Sequence, residues 1–193
     1  MNAEDEIWDK FWNGIECWHG VMRVTPTYKC IIKMFESIDL PKSAKILDAG
    51  CGTGKLAHFW QNRGYDTLGI DISDSALSIT AKKGVKSIKA DILQGLPFKD
   101  DYFDLVYSDG LLEHFVKPEL VLDELFRVSG KYVLTLVPRI STLKVFIDLL
   151  VPPPKEYKRA DLDWIKMHEK FLPNKIQSEK LFTALGILCE VPK

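Results

Sequence analysis

Ile46-Leu47-Asp48-Ala49-Gly50-Cys51-Gly52-Thr53-Gly54 is the stretch on which the reading of this 193-residue chain turns. A short apolar strand carrying an acid leads straight into a turn with glycine at every second position. Glycine there can take positive φ and, lacking a Cβ, lets a ligand lie against the backbone. In a doubly wound sheet, ligands bind where the strands present their carboxyl ends. The turn is therefore read as a ligand-binding loop rather than a bare strand-to-helix connection. A dinucleotide fingerprint wants G-x-G-x-x-G, and its last position is occupied here by Lys55. The phosphate loop G-x-x-x-x-G-K-[ST] fails one step later, at Leu56.

Outward from this stretch, short apolar strands alternate with helices, the pattern of βαβ units and a parallel sheet. The strands are expected at 45–49, 66–71, 85–90, 103–108 and 131–137. Helices are expected at 55–63, ending at Gly64, at 74–83, starting after Ser73 and ending at Gly84, and at 118–128, ending near Gly130. Upstream, Ile7, Trp8, Phe11, Trp12 and Ile15 form an apolar stripe on a helix over 4–18. A second helix starts at Thr25-Pro26 and runs to about Ile38. After Pro138 the rhythm breaks. A mixed segment with Pro152-Pro153-Pro154 precedes a last helix around 176–185 and a strand-like Ile187 to Val191. The expected fold is α/β: a Rossmann-like doubly wound, mostly parallel sheet of six or seven strands with helices on both faces. It is read as one domain, with 1–40 an N-terminal helical cover, 45–138 the cofactor-binding core and 139–193 a lid and closing helix or strand.

Composition limits the function classes. With 46% apolar and 27% charged residues and a net charge of -1, the chain reads as a soluble globular protein. Its one basic stretch, residues 155–159, is followed at once by Asp161 and Asp163, so no nucleic-acid footprint is expected. Cys17, Cys30, Cys51 and Cys189 form no CxxC pair, and His19, His58 and His168 lack ligand spacing. Neither a metal nor a disulfide framework is expected. The acidic N-terminus is unlike a secretory signal, and no apolar run approaches the roughly 20 residues of a membrane span. A cytoplasmic location follows, with the oligomeric state left open.

The second strand ends at Gly69-Ile70-Asp71-Ile72-Ser73, which places a carboxylate about 20 residues beyond the glycine turn, a spacing suited to both ribose hydroxyls. NAD enzymes use the same device. Asp48 to Gly54, however, resembles motif I of class I S-adenosylmethionine-dependent methyltransferases. That resemblance implies a loop, with Asp48, Gly50, Cys51 and Gly52, that supports the methionine and ribose parts of S-adenosylmethionine. It adds Asp71 and Ile72 at the second strand end. At Lys89-Ala90-Asp91-Ile92, Asp91 would accept from the adenine amino group while the Ile92 amide donates to the ring. Ser108, at the end of the fourth strand, completes the cofactor set. Leu96-Pro97-Phe98-Lys99-Asp100-Asp101-Tyr102-Phe103-Asp104, Leu111-Leu112-Glu113-His114-Phe115 and Glu124-Leu125-Phe126-Arg127-Val128 extend the likeness from Lys45 to Pro138. It is closest to the small-molecule branch that includes quinone-biosynthesis methyltransferases. Two departures stand out: Ser129-Gly130 replaces a Pro-Gly-Gly turn, and one terminal strand-like segment stands where the family has two.

On the acceptor side, Trp12, Asp109 and His114 are the candidates. Methyl transfer is an in-line displacement driven largely by orientation. His114 is placed to serve as a base or as a packing group. Asp109 is placed to orient the substrate, to meet the cofactor's ammonium, or to cap a helix. Trp8, Phe11, Trp12 and Trp18 either roof the pocket or pack, and Arg139 meets an anionic substrate or a surface carboxylate. The expected activity is methyl transfer to a small molecule, with S-adenosylhomocysteine as product. A non-catalytic S-adenosylmethionine-binding or scaffold subunit is the alternative. An NAD-dependent oxidoreductase is a third reading, opposed by Lys55 and by the Asp91 segment.

Overall fold

Strand β1 (Lys45–Ala49) lies mid-sheet, with Ile46 and Leu47 on opposite faces and both wholly removed from solvent. A strand apolar on both sides must be covered on both sides, and this one fact fixes a three-layer arrangement. The computed structural model describes residues 3–14, 26–139, 157, 159–172, 176–180 and 184–192. Around β1 stand β2 (Asp66–Asp71), β3 (Lys86–Lys89), β4 (Phe103–Asp109), β5 (Ser129–Pro138), β6 (Ile176–Lys180) and β7 (Ala184–Glu190). The sheet order is β3-β2-β1-β4-β5-β7-β6. Strands β1 to β5 pair in parallel, while β7 runs antiparallel to both β5 and β6.

Helices α1 (Ala3–Gly14), α2 (Pro26–Glu36), α3 (Lys55–Gln61), α4 (Asp74–Lys82), α5 (Pro118–Val128) and α6 (Asp161–Glu169) complete the described elements. Ile31, Met34 and Phe35 of α2 pack with Leu56 and Trp60 of α3 against Ile46, Leu105, Leu134 and Leu136 on one face. Val121, Leu122 and Leu125 of α5 and Trp164 and Met167 of α6 cover Leu47, Val106, Val133 and Val137 on the other. The alternation along β5, in which Val133 and Leu134 face opposite layers, is the strand period of two read out as packing. Ser73 caps α4 as expected, its Oγ accepting from the Ala76 N–H at 3.1 Å.

The sheet has seven strands, which decides between six and seven. Three expectations need correction. The helix expected over 176–185 is a strand at Ile176–Lys180, and the terminal strand starts earlier than expected, at Ala184. Gln, Glu and Lys favour helix only weakly, and pairing of Ile176 to Lys180 with Cys189 to Leu185 of β7 overrides them. The segment expected to be a mixed lid contains α6, whose helical signal is blurred because Leu162 is exposed while Trp164 is buried. Helix α1 is described to Gly14, so Ile15 and Trp18 of the expected 4–18 helix, like Thr25, lie outside the described residues.

Candidate functional site

The glycine turn leaves β1 with Gly50, Gly52 and Gly54 at φ +69°, +52° and +67°, a left-handed backbone that side chains resist. Gly52 also needs the missing side chain: a Cβ there would stand 2.6 Å from Cζ2 of Trp12. The loop is tied down from behind. The Gly52 carbonyl accepts from Thr80 Oγ1 at 3.0 Å, and the Thr53 carbonyl accepts from Lys83 Nζ at 2.6 Å. Helix α3 begins at Gly54, which has no capping side chain, and Asp48 supplies the missing acceptor from beneath, taking the Ala57 N–H at 3.1 Å. Asp48 thus lies under the loop, 3% exposed. Burial, with the Asp109 and Asp71 carboxylates nearby, pushes its carboxyl up to about 7.

At the end of β2, Asp71 holds the turn from the side. Its Oδ2 accepts from the Gly52 N–H at 2.8 Å and its Oδ1 from the Ser73 N–H at 3.0 Å. Burial raises its carboxyl, against the opposing pull of these amides. The Ile72 amide also donates to this carboxylate, and since a carboxylate offers about four acceptor directions, capacity remains for a ligand. The Ile72 side chain is half-buried beside it. Cys51 is buried, and its thiol is held well above the usual thiol range by burial and by the Asp48 and Asp71 charges, so it stays neutral. Its sulfur occupies the space over Gly69 on β2, where a Cβ would meet it at 2.8 Å.

Further along the sheet edge, Asp91 caps the 3-10 turn Ile92–Gln94, its Oδ1 accepting from the Leu93 N–H at 3.0 Å, and Ile92 is buried. Ser108, near the end of β4, is fully buried, and its hydroxyl has no hydrogen-bond partner among the described residues. Asp109 follows. It is exposed to solvent, with protein packed close by. Crowding raises its carboxyl, opposed by a hydrogen bond from Tyr107 and the charge of Lys55. Leu111 lies over Gly50, where a Cβ would meet its Cδ1 at 2.8 Å.

Helix α1 closes the site from above. Trp12 rests on Gly52, and Trp8 meets His114 edge-on with ring centroids 4.7 Å apart. Thus Asp48, Gly50, Cys51, Gly52, Asp71, Ser108, Asp109, Trp12 and His114 gather around the carboxyl ends of β1, β2 and β4, with Ile72, Asp91 and Ile92 following β2 and β3. Arg139 is not among them. It donates to Asp161 at 2.9 Å, tying the end of β5 to the start of α6. His168 is buried, its Nδ1 against the Trp164 carbonyl and its Nε2 against Thr135 Oγ1, both at 2.8 Å. Sequence reasoning missed Asp9, whose Oδ1 accepts from Ser73 Oγ at 2.5 Å and from the Ser75 N–H at 3.1 Å. Nothing local to α1 announces a contact 64 residues away.

Residues 47–133 match the family model for a methyltransferase domain. The matched stretch, 87 of the 193 residues, is similar to methyltransferase domains. Solved structures that this chain resembles in fold include S-adenosylmethionine-dependent methyltransferases. Over 107 residues the chain is 35% identical to a malonyl-[acyl-carrier protein] O-methyltransferase of Hamiltonella defensa, a match spanning 53% of this chain and 41% of that protein. The chain therefore spans about two-fifths of that relative's length. Its fold matches the crystal structure of an S-adenosylmethionine-dependent methyltransferase, a possible histamine N-methyltransferase, from Thermotoga maritima. The TM-score is 0.75 at 20% identity, covering 97% of this chain and 99% of that one. The magnesium protoporphyrin IX methyltransferase of Synechocystis, solved with bound S-adenosylhomocysteine, matches with a TM-score of 0.66 at 17% identity, covering 85% and 81% of the two chains. Among the described residues no helix is long and apolar enough to cross a membrane.

Proposed function

We propose that this domain transfers a methyl group to a small-molecule acceptor in the cytoplasm. Residues 45–138 are its cofactor core, 1–40 its cover and 139–172 its lid, with the remainder closing the sheet. The observation that carries the placement of the cofactor is Asp71, held by the Gly52 and Ser73 amides with acceptor capacity to spare. In this reading Asp71 takes the ribose hydroxyls, and Asp91 takes the adenine amino group through Oδ2 while the Ile92 amide meets the ring. The glycine turn and Ser108 line the methionine portion. The residues present suit this ligand. Asp48, Asp71 and Asp109 raise one another or are raised by burial, and a ligand bearing two cationic centres offsets that crowding.

When bound, the cofactor supplies an electrophilic methyl carbon on a positively charged sulfur. The protein's part is to hold the acceptor in line with it and to exclude water, which orientation alone makes worth as much as ~7–11 kcal/mol. Trp12 and Trp8 form the apolar roof that does the excluding. Asp109 orients the acceptor or the cofactor ammonium. His114, next to Trp8, is the group placed to take a proton from a hydroxyl or acidic carbon acceptor.

Labelled S-adenosylmethionine offered with fractionated cell extract tests the reading. The low-molecular-weight fraction should support S-adenosylhomocysteine formation, and label entering only protein or nucleic acid would overturn the small-molecule assignment. His114→Ala should flatten the pH profile of turnover, and an unchanged profile removes His114 as base.

A further inference from the structure

Helix α1 does more than cover apolar surface: it touches three strand ends by three kinds of contact. Trp12 sits on Gly52 after β1, Trp8 meets His114 after β4, and Asp9 reaches the turn after β2. We propose that α1 is a latched lid over the adenosyl site and that Asp9 is its latch, a positioning residue that couples closure of the helix to the Asp71–Ser73 turn. This rests on the reading above that Asp71 holds the ribose.

The lid must open for ligand exchange. The glycine at position 52 leaves room for something to lie against the backbone, and Trp12 fills that room; a Cβ on Gly52 would collide with its ring. Trp12 therefore shuts this edge of the site while α1 is down, and α1 has to lift for a ligand to enter or to leave. The aromatic contacts alone are non-directional and tolerate sliding. Asp9 is what fixes the register. Its Oδ1 accepts both the Ser73 hydroxyl and the Ser75 N–H at the start of α4, where a negative charge is favoured by the helix dipole.

Ser73 is the coupling element because it spends every polar group it has. Its N–H donates to Asp71 Oδ1, its hydroxyl donates to Asp9, and its Oγ accepts from the Ala76 N–H that opens α4. Release of Asp9 frees the hydroxyl, and the change is felt one bond away at the carboxylate that orients the ribose. Asp9 thus acts through Ser73 rather than on the reacting atoms.

Hydrogen exchange of the full chain without ligand, together with the dissociation rate of S-adenosylhomocysteine, tests this in wild type, Asp9→Ala and Asp9→Asn. Asp9→Ala should speed exchange across residues 3–14 while leaving β1 and β4 protected, and should speed dissociation about 10-fold, the factor carried by one hydrogen bond to a charged group. Asp9→Asn keeps an acceptor oxygen without the charge and should fall between the two. Wild-type exchange across 3–14, or a wild-type dissociation rate, in Asp9→Ala overturns the latch. An Asp71→Asn variant that binds S-adenosylhomocysteine like wild type would instead overturn the placement of the ribose, while the ligand-free exchange still decides the latch.

Discussion

Gly52 combines a left-handed backbone at φ +52° with an indole pressed against its Cα face. Gly52→Ala should cost roughly 1–2 kcal/mol from the backbone alone and more from displacing Trp12, which chemical denaturation will register. Asp48 behaves differently, because its carboxyl, raised to about 7, is largely protonated in the folded protein below neutrality. The raised folded value means that its contribution is fully present below the unfolded value near 3.8 and is lost as pH rises through about 7. Asp48→Asn keeps an acceptor for the Ala57 N–H without the titration. Between pH 4 and pH 8 the stability of wild type relative to this variant should therefore fall, by on the order of 3 kcal/mol. The placement of Asp48, the alternating glycines and Asp71 at the strand ends was legible in sequence because it follows from the strand pattern and short spacing. Thr80 and Leu111, which act on the loop, and Asp9, which acts on the turn after β2, were not, since each reaches its partner across 28 to 66 residues and carries no local pattern.

At the scale of elements, α6 is held to the sheet by His168, a wholly buried group. Its Nδ1 hydrogen donates to the Trp164 carbonyl, which leaves Nε2 to accept the Thr135 hydroxyl and requires the neutral ring. Burial depresses its pKa from 6.5 to about 4. The contribution is therefore present above the unfolded value and is lost as pH falls through the folded one. Wild type should lose on the order of 3 kcal/mol between pH 7 and pH 4 from this group, measured by urea unfolding, and His168→Gln should lack that slope. The sequence disclosed α5 fully, because Pro118 opens it and Val121, Leu122, Leu125 and Val128 keep helical spacing. It concealed α6, where Leu162 points to solvent, and it misread β6, whose Gln, Glu and Lys suit a helix until β7 supplies backbone partners. Local propensity loses to pairing at such an edge.

At the scale of the molecule, the parallel half of the sheet was readable because each βα crossover is short and punctuated. The β6-β7 hairpin was not, because antiparallel pairing depends on contacts the local pattern does not encode. The whole arrangement places buried or crowded carboxylates of β1, β2 and β4 along one edge and lays a helix across them. Folding thus gathers these carboxyl groups near α1. In the proposed function, the positive charges of S-adenosylmethionine offset the crowding of these carboxylates, and Asp71 takes the ribose. Titration calorimetry of the full chain with S-adenosylhomocysteine, set beside Asp71→Asn, is the most direct measurement. Wild type should bind at one site per chain, and the variant at least about 10-fold more weakly, the loss of a hydrogen bond to a charged group. Equal affinity in the two proteins, or no binding in wild type, would contradict this assignment.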